Sequence, residues 1–152
     1  MASEYRDKFI EAAEVEVEAL EDFDCWEEIP IEMATTKILP GTWAFCIKQA
    51  PDGTLKKFKG RYCIQGYLQE GEFEMYAPVV QLSSLQLFLA WALLLNWVTC
   101  SVDFSNAFIQ AKLKDAIFVH IPRGFTSNRP GKTCLRLKRS LYGLSVAPRL
   151  WF

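Results

Sequence analysis

Histidine is almost absent from this 152-residue chain, which contains one, His120. A zinc centre built on histidines and a serine–histidine–aspartate triad both need this side chain, so a single copy argues against either chemistry. The sequence also lacks the glycine-rich loops that bind phosphates in P-loop and dinucleotide-binding proteins. His120 falls in a predicted strand, which favours a structural role for it.

Cysteine is scattered, with five residues that are never closely paired in sequence. The chain opens on charged residues rather than on an apolar signal segment, so we expect an intracellular protein, cytoplasmic or nuclear and not secreted. The cysteines are then expected to act as small core residues. The longest apolar run, residues 85–98, is interrupted and shorter than the roughly 20 residues that span a membrane. It therefore predicts a buried core helix and no membrane partner.

Acidic residues become rare after the first 32 positions. Residues 1–32 carry 12 acidic and 2 basic side chains, whereas residues 33–152 carry 6 acidic and 15 basic ones. The net charge of −1 thus combines an acidic leader with a basic body. A basic body is typical of proteins that meet a polyanion such as RNA or DNA. Charge alone leaves open the alternative of an unevenly charged surface that is merely solvated.

Hydrophobic periodicity and turn residues predict a mixture of helices and strands. Residues 4–22 carry an apolar stripe with acidic residues on the other faces, which predicts a leader helix. The Pro51-Asp52-Gly53 turn between two strand-like segments predicts a hairpin. The predicted order continues as loop 24–40, strands 42–48 and 56–64, core helix 85–95 capped by Ser83 or Ser84, strand 97–103, short helix 105–111, strands 116–121 and 134–137, turn 140–144, and a helix opened by Ala147-Pro148. Hairpins mixed with intervening helices indicate the α+β class.

Asp103 is one of two acidic residues beyond position 74, the other being Asp115. It follows an apolar run at the end of a predicted strand and directly precedes a predicted helix. A carboxylate at the end of a strand lies where metal ions and substrates reach a sheet. Its side chain could instead cap the following helix, and without further context the residues favour this second role.

Four sequence blocks, in order, supply that context. They are the Trp43–Lys48 strand with the Asp52-Gly53 turn and Lys59-Gly60-Arg61, then Tyr76-Ala77-Pro78-Val79-Val80, then Val102–Phe108, and then Ser140–Leu144 followed by Ala147-Pro148-Arg149 and Trp151-Phe152. From about Glu11 to Phe152 the chain resembles copia-type retrotransposon reverse transcriptases. The resemblance implies the fingers and an incomplete palm of a right-hand polymerase. It implies fingers at about 42–80 and a partial palm at about 83–152, after the acidic leader at 1–32 that the charge pattern marks.

The resemblance also implies roles for individual residues in RNA-directed DNA synthesis, with a primed RNA or DNA template and a dNTP as partners. Asp103 would be the catalytic residue and would ligate Mg²⁺ or Mn²⁺. Nucleotide-binding roles would belong to Lys48, Arg61, Phe104, Phe108, Tyr142 and Gly143, and nucleic-acid contacts to Lys59, Arg136, Lys138, Arg139 and Arg149. The residues alone leave open that Phe108 is a core aromatic residue and that the basic hairpin side chains form a solvated face.

The chain departs from the family pattern at several points. Gly60 stands where the family carries alanine, which predicts a weaker fingers strand. The 69–76 segment is shorter than the pattern and lacks its Asp-Tyr pair, and Ser145-Val146 replaces a basic residue followed by glutamine. The family's second acidic motif, Tyr-x-Asp-Asp, would follow the region in which Phe152 lies, and we expect the thumb and RNase H to be absent as well. We therefore expect a fragment that is inactive alone and holds no metal tightly.

Two other functions remain open at this stage. A non-catalytic nucleic-acid-binding remnant would keep the basic surface without turnover. A non-functional relic would expose unpaired sheet edges and the apolar 85–98 helix, and would tend to aggregate.

Overall fold

The computed structural model describes residues 5–71, 75–127 and 129–152, and its mixed helices and strands agree with the α+β class. The elements in chain order are α1 (Arg6–Asp22), β1 (Trp26–Pro30), a 3₁₀ turn (Ile31–Met33), β2 (Ile38–Leu39), β3 (Gly41–Gln49), β4 (Leu55–Ile64), a 3₁₀ turn (Gly66–Leu68), α2 (Leu82–Leu94), α3 (Ala107–Gln110), β5 (Lys112–Val119), β6 (Thr133–Arg139) and α4 (Ala147–Trp151). The predicted start of the leader helix, Glu4, and residues 72–74 of the 69–76 segment lie outside the described residues.

The predicted hairpin is confirmed as a two-stranded antiparallel sheet of β3 and β4. Gly53 takes a φ of +83° in the connecting turn, a conformation that glycine adopts without a steric penalty. The Asp52 carboxylate accepts hydrogen bonds from the Thr54 amide (2.9 Å) and hydroxyl (2.6 Å), which closes the turn. Local turn chemistry therefore closes the hairpin, and the strand register shifts once beside the turn, between Lys48 and Gln49.

Helix α1 packs across β4, and Gly60 lies where the two elements approach each other. The strand is continuous through Gly60, which pairs with Phe45. A β-carbon at Gly60 would lie 3.1 Å from the carbonyl oxygen of Ala12 and 3.2 Å from the Phe45 ring. Phe9 of the helix contacts the rings of Phe45 and Phe58 at 5.2 and 5.0 Å between centroids. Gly60 thus allows close packing of α1. The sequence pattern predicted only that glycine would weaken the strand and did not predict this packing role.

A four-stranded sheet in the order β1-β6-β5-β2 forms the other half of the fold. The prediction of a loop over 24–40 is wrong, because this segment contributes both edge strands. Trp26 to Pro30 pair antiparallel with Leu137 to Thr133, and β2 pairs parallel with the end of β5. These strands depend on partners about 80 to 110 residues away, and the local sequence carries no clear alternation that marks them.

The core lies where the four-stranded sheet, the end of β4 and the turn at residues 140–144 meet. Tyr62 of β4 is buried, and its hydroxyl donates to the carbonyl of His120 at 2.9 Å, which joins the hairpin to the sheet. Burial raises the pKa of Tyr62 to about 12. Cys25 and Cys134 are buried as expected of core cysteines, whereas Cys46 and Cys100 are exposed, so that expectation holds only in part.

Helix α2 does not form a core element, contrary to the sequence prediction. Ala92 is its one buried residue, and the exposed fractions of Leu93 and Leu94 are 80% and 78%. The helix begins at Leu82 after Gln81, without a side-chain cap, so the predicted cap at Ser83 or Ser84 is also wrong. Its apolar sequence specifies a surface suited to burial, but no other described element covers it. Within the described ranges no helix is both long and apolar enough to cross a bilayer.

The predicted strand over 97–103 is also absent, since residues 97–104 form no regular secondary structure. Val98 is fully exposed and Val102 is 72% exposed. A strand needs a partner for its backbone groups, and none of the described strands pairs with this segment.

Candidate nucleotide site

Residues from three separate sequence blocks line one cavity of about 290 Å³. The hairpin strand β4 contributes two cations, the 103–108 segment contributes a carboxylate and two aromatic rings, and the 140–144 turn contributes a tyrosine. The lining residues are Lys59, Arg61, Asp103, Phe104, Ser105, Asn106, Ala107, Phe108 and Tyr142. Six of these nine were predicted from the sequence as site residues.

The centre of the cavity is an aromatic and cationic cluster. The guanidinium carbon of Arg61 lies 5.1 Å from the centroid of the Tyr142 ring, a distance at which the ring face attracts a cation. Phe108 meets the same ring edge to face, with 5.6 Å between centroids. Burial raises the pKa of the Tyr142 hydroxyl, against the opposing effect of the Arg61 charge, so the phenol stays neutral at physiological pH. Arg61 is exposed and its charge remains available to an anion in the cavity.

The turn that carries Tyr142 is held against the end of the hairpin by backbone hydrogen bonds. The Ile64 amide donates to the Tyr142 carbonyl at 2.7 Å, and the Gly66 amide donates to the Gly143 carbonyl at 3.1 Å. Gly143 has a φ of +86°, and a β-carbon there would overlap the carbonyl oxygen of Ile64. The Ser145 hydroxyl adds a bond to the Gly66 carbonyl at 3.0 Å. The fold therefore fixes the tyrosine next to Arg61.

Asp103 lies on the irregular 97–104 segment and does not cap the helix that follows. The N-cap of α3 is Asn106, at a φ of +54° and without a side-chain cap bond, so the capping role is excluded. The Gln110 amide group donates to the Ser105 carbonyl at 3.0 Å, and Phe104 contacts Trp151 at 5.4 Å between ring centroids. These contacts hold the two residues that follow Asp103, and Asp103 lines the same cavity as Arg61.

Comparison with known proteins decides the family. The family model described as reverse transcriptase (RNA-dependent DNA polymerase) matches residues 25–152. The chain belongs to this family. The match includes all three sequence blocks that line the cavity.

Similar proteins confirm the predicted resemblance to copia-type retrotransposons. The retrovirus-related Pol polyprotein from transposon RE2 of Arabidopsis thaliana is 31% identical over 96% of this chain. That from transposon RE1 of the same plant is 33% identical over 84% of it, and that from transposon TNT 1-94 of Nicotiana tabacum is 27% identical over 97%. The chain spans 9–11% of the length of these polyproteins, so it corresponds to part of a retrotransposon reverse transcriptase. No solved structure matches the chain significantly.

The reverse transcriptase family implies divalent metal ions, and the cavity does not supply a full set of ligands for them. Asp103 is the one carboxylate that lines it, whereas Asp115 lines a separate cavity with Lys37 and Glu70. Among the described residues no three histidine, cysteine, aspartate or glutamate side chains are grouped as metal ligands. Mg²⁺ binds through several oxygen ligands in near-octahedral geometry, and one carboxylate falls short of that.

The other residues with predicted roles lie outside the cavity lining. Lys48 pairs with Lys57 near the tip of the hairpin and is exposed. On β6, Arg136 forms an ion pair with Glu27 at 3.1 Å and Lys138 forms one with Asp24 at 2.7 Å. Two of the predicted nucleic-acid contacts are therefore engaged by acidic residues of the leader. Arg139 donates to the Gln110 carbonyl at 3.2 Å, Arg149 lies on α4, and Gly143 directly follows the lining residue Tyr142.

Sequence reasoning missed three residues that line the cavity, Ser105, Asn106 and Ala107, and one residue beside it, Glu16. Asn106 lines the cavity in a left-handed backbone conformation, which asparagine tolerates better than most residues, so an asparagine near the start of the predicted 105–111 helix was a usable signal. Glu16 lies on the packed side of α1, three residues after Ala13 and four before Leu20, both of which are buried. Its position at helical spacing from these residues marked it as an acid on the apolar stripe.

Proposed function

We propose that this chain contributes the dNTP-binding part of a copia-type reverse transcriptase, with β3–β4 as fingers and the region after residue 83 as part of the palm. The proposal rests on one observation: Lys59 and Arg61, the 103–108 segment and Tyr142 line the same cavity. These blocks are separated by about 40 residues each, and their meeting is a property of the fold. Helix α1 of the leader at 1–32 then packs on the fingers, whereas β1 at the end of the leader belongs to the four-stranded sheet.

Four of the residues that line the cavity have roles that their chemistry supports. Arg61 binds the triphosphate through its planar fork of N–H donors, and Lys59 adds a second positive charge. The Tyr142 ring holds the guanidinium from one side. Phe108 meets that ring and presents its bulk where a sugar would lie, which disfavours a ribose 2′-hydroxyl. The turn at Gly143 brings backbone close to the base.

Catalysis by the complete enzyme depends on Mg²⁺ or Mn²⁺, which activates the primer 3′-hydroxyl when bound. Asp103 is the residue of this chain that would ligate such an ion. Two-metal phosphoryl transfer needs additional carboxylates, and the described residues place none beside Asp103. We therefore expect that the 152-residue chain alone does not extend a primer. The measurement is primer extension on an RNA template with Mg²⁺, and extension that Asp103→Asn abolishes would contradict this expectation.

The nucleotide site itself is tested by binding. Arg61→Ala should weaken binding of a dNTP about tenfold or more, because it removes a bidentate phosphate contact from the cavity. Lys56→Ala is the matched control, since it also removes one positive charge from β4 but lies at the far end of the strand, and it should change the affinity less than about twofold. Isothermal titration calorimetry measures the dNTP affinity of both variants. An equal loss in the two variants would show that binding depends on net charge and that the proposed site is wrong.

A further inference from the structure

The acidic helix α1 places one carboxylate beside the proposed nucleotide site. Glu16 lines a cavity of about 490 Å³ between α1 and β4. Lys59 and Asn106 line both this cavity and the nucleotide cavity, so the two share a wall. The Oε1 atom of Glu16 is buried and has no hydrogen-bond partner among the described residues. None of the site chemistry proposed above uses this group.

Glu16 influences Lys59 and Arg61 without forming an ion pair with either. The Glu16 pKa is raised by burial, which the nearby backbone of Tyr62 and the charges of the two cations partly oppose. The ion pairs found among the described residues are Lys37–Glu70, Arg136–Glu27 and Lys138–Asp24, and none includes Glu16. The carboxylate therefore reduces the positive potential around the cations through space and does not hold their side chains in place.

The position of Glu16 is fixed by packing. The close approach of the Ala12 backbone to Gly60 and the contacts of Phe9 with the hairpin rings hold α1 on β4. Neighbouring Val17 and Leu20 are buried on the same side of the helix. The carboxylate is thus a constant part of the electrostatic environment of the site in this fold, unlike the glutamates on the solvent side of α1.

We propose that Glu16 is a built-in counter-charge that lowers the affinity of the nucleotide site for polyphosphate anions. The inference rests on the proposed nucleotide site at Arg61. A negative charge beside Lys59 and Arg61 opposes the entry of a triphosphate more strongly than the entry of a singly or doubly charged phosphate, because the repulsion grows with the charge of the ligand. Glu16 therefore sets both the strength of triphosphate binding and the selectivity of the site between triphosphate and phosphate.

The test is isothermal titration calorimetry of inorganic triphosphate and inorganic phosphate with the 152-residue chain. Glu16→Gln should tighten triphosphate binding about three- to tenfold and phosphate binding less. Glu18→Gln is the control, since it removes the same charge from an exposed residue of α1 that lines the groove beside Trp43, and it should change either affinity less than about twofold. Glu16→Asp keeps the charge and should bind as the unmodified chain does, which separates the charge from a packing effect.

The outcomes distinguish this inference from the proposed function. If Arg61→Ala greatly weakens triphosphate binding while Glu16→Gln matches Glu18→Gln or binds more weakly, the counter-charge is refuted and the nucleotide site stands. If Arg61→Ala leaves triphosphate binding unchanged, the nucleotide site fails and the inference fails with it. Equal tightening of phosphate and triphosphate by Glu16→Gln would also overturn it.

Discussion

Replacing Gly143 with alanine should lower the free energy of unfolding by about 3 kcal/mol, a large effect for one methyl group. Gly143 has a φ of +86°, which strains any residue with a β-carbon. The added carbon would overlap the Ile64 carbonyl oxygen and lie 3.1 Å from the Ile64 carbonyl carbon. These are backbone atoms of β4, so relief requires the turn or the strand to move. Such movement would break the bonds of Ile64 to Tyr142 and of Gly66 to Gly143.

Gly53→Ala separates the steric effect from the conformational one. Gly53 has nearly the same φ, +83°, but beyond its chain neighbours no atom lies within 4 Å of the place that a β-carbon would take. Gly53→Ala should therefore lower the free energy of unfolding by about 1 kcal/mol, which is the cost of the backbone conformation alone. Chemical denaturation followed by tryptophan fluorescence measures both variants. Equal losses would mean that the turn at Gly143 is not packed against β4 as described.

The second large effect concerns the apolar surface of α2. The 152-residue chain should bind a hydrophobic dye such as ANS and self-associate, because α2 exposes a contiguous row of large apolar side chains. Substituting both Leu93 and Leu94 with glutamine should reduce dye fluorescence and the associated fraction about twofold or more. The melting temperature should hardly change, because the two side chains are about four-fifths exposed and contribute little to the core.

The double variant Val15→Gln, Met33→Gln provides a matched comparison for α2. These side chains are 60% and 61% exposed and belong to two other elements, α1 and the first 3₁₀ turn. Isolated exposed apolar residues are normal on protein surfaces, so this variant should leave dye binding and association unchanged. Dye fluorescence and sedimentation velocity measure the two properties. If both double variants behave alike, or if the α2 variant unfolds, the exposed position of α2 is incorrect.

Local sequence signals predicted the elements whose stability is local. The β3–β4 hairpin followed from the turn at Asp52 and Gly53 and from the β-branched and aromatic residues beside it. The helix at Ala147 followed from proline in its first turn. In each case the residues that decide the conformation are neighbours in the chain.

Elements that depend on distant partners were predicted poorly. Strand β1 forms because Trp26 and its neighbours pair with β6, which lies more than 100 residues further along the chain. The sequence of residues 24–40 contains no pattern that indicates this pairing. The apolar sequence of α2 indicated a buried helix, and that of residues 97–103 indicated a buried strand. An apolar pattern shows that a segment is suited to burial but does not show which element would cover it. Both segments are exposed among the described residues for this reason.

The candidate site was predictable in residue identity and not in arrangement. The family pattern named Arg61, Asp103, Phe108 and Tyr142, and the fold brings them to one cavity. The same pattern also named Lys48, which lies outside that cavity at the hairpin tip. Neither the contact of Arg61 with the Tyr142 ring nor the carboxylate of Glu16 behind Lys59 follows from spacing along the chain, because each depends on how β4 packs against another element.

Photo-crosslinking of a dNTP that carries an azido group on its base, followed by peptide mapping of the 152-residue chain, tests most directly whether the cavity at Arg61 binds a nucleotide. We expect adducts within residues 103–108 and at Tyr142, which an excess of unmodified dNTP suppresses and which Arg61→Ala reduces. Adducts confined to the separate groove that Trp43 and Phe125 line, or adducts that unmodified dNTP does not displace, would contradict nucleotide binding at Arg61.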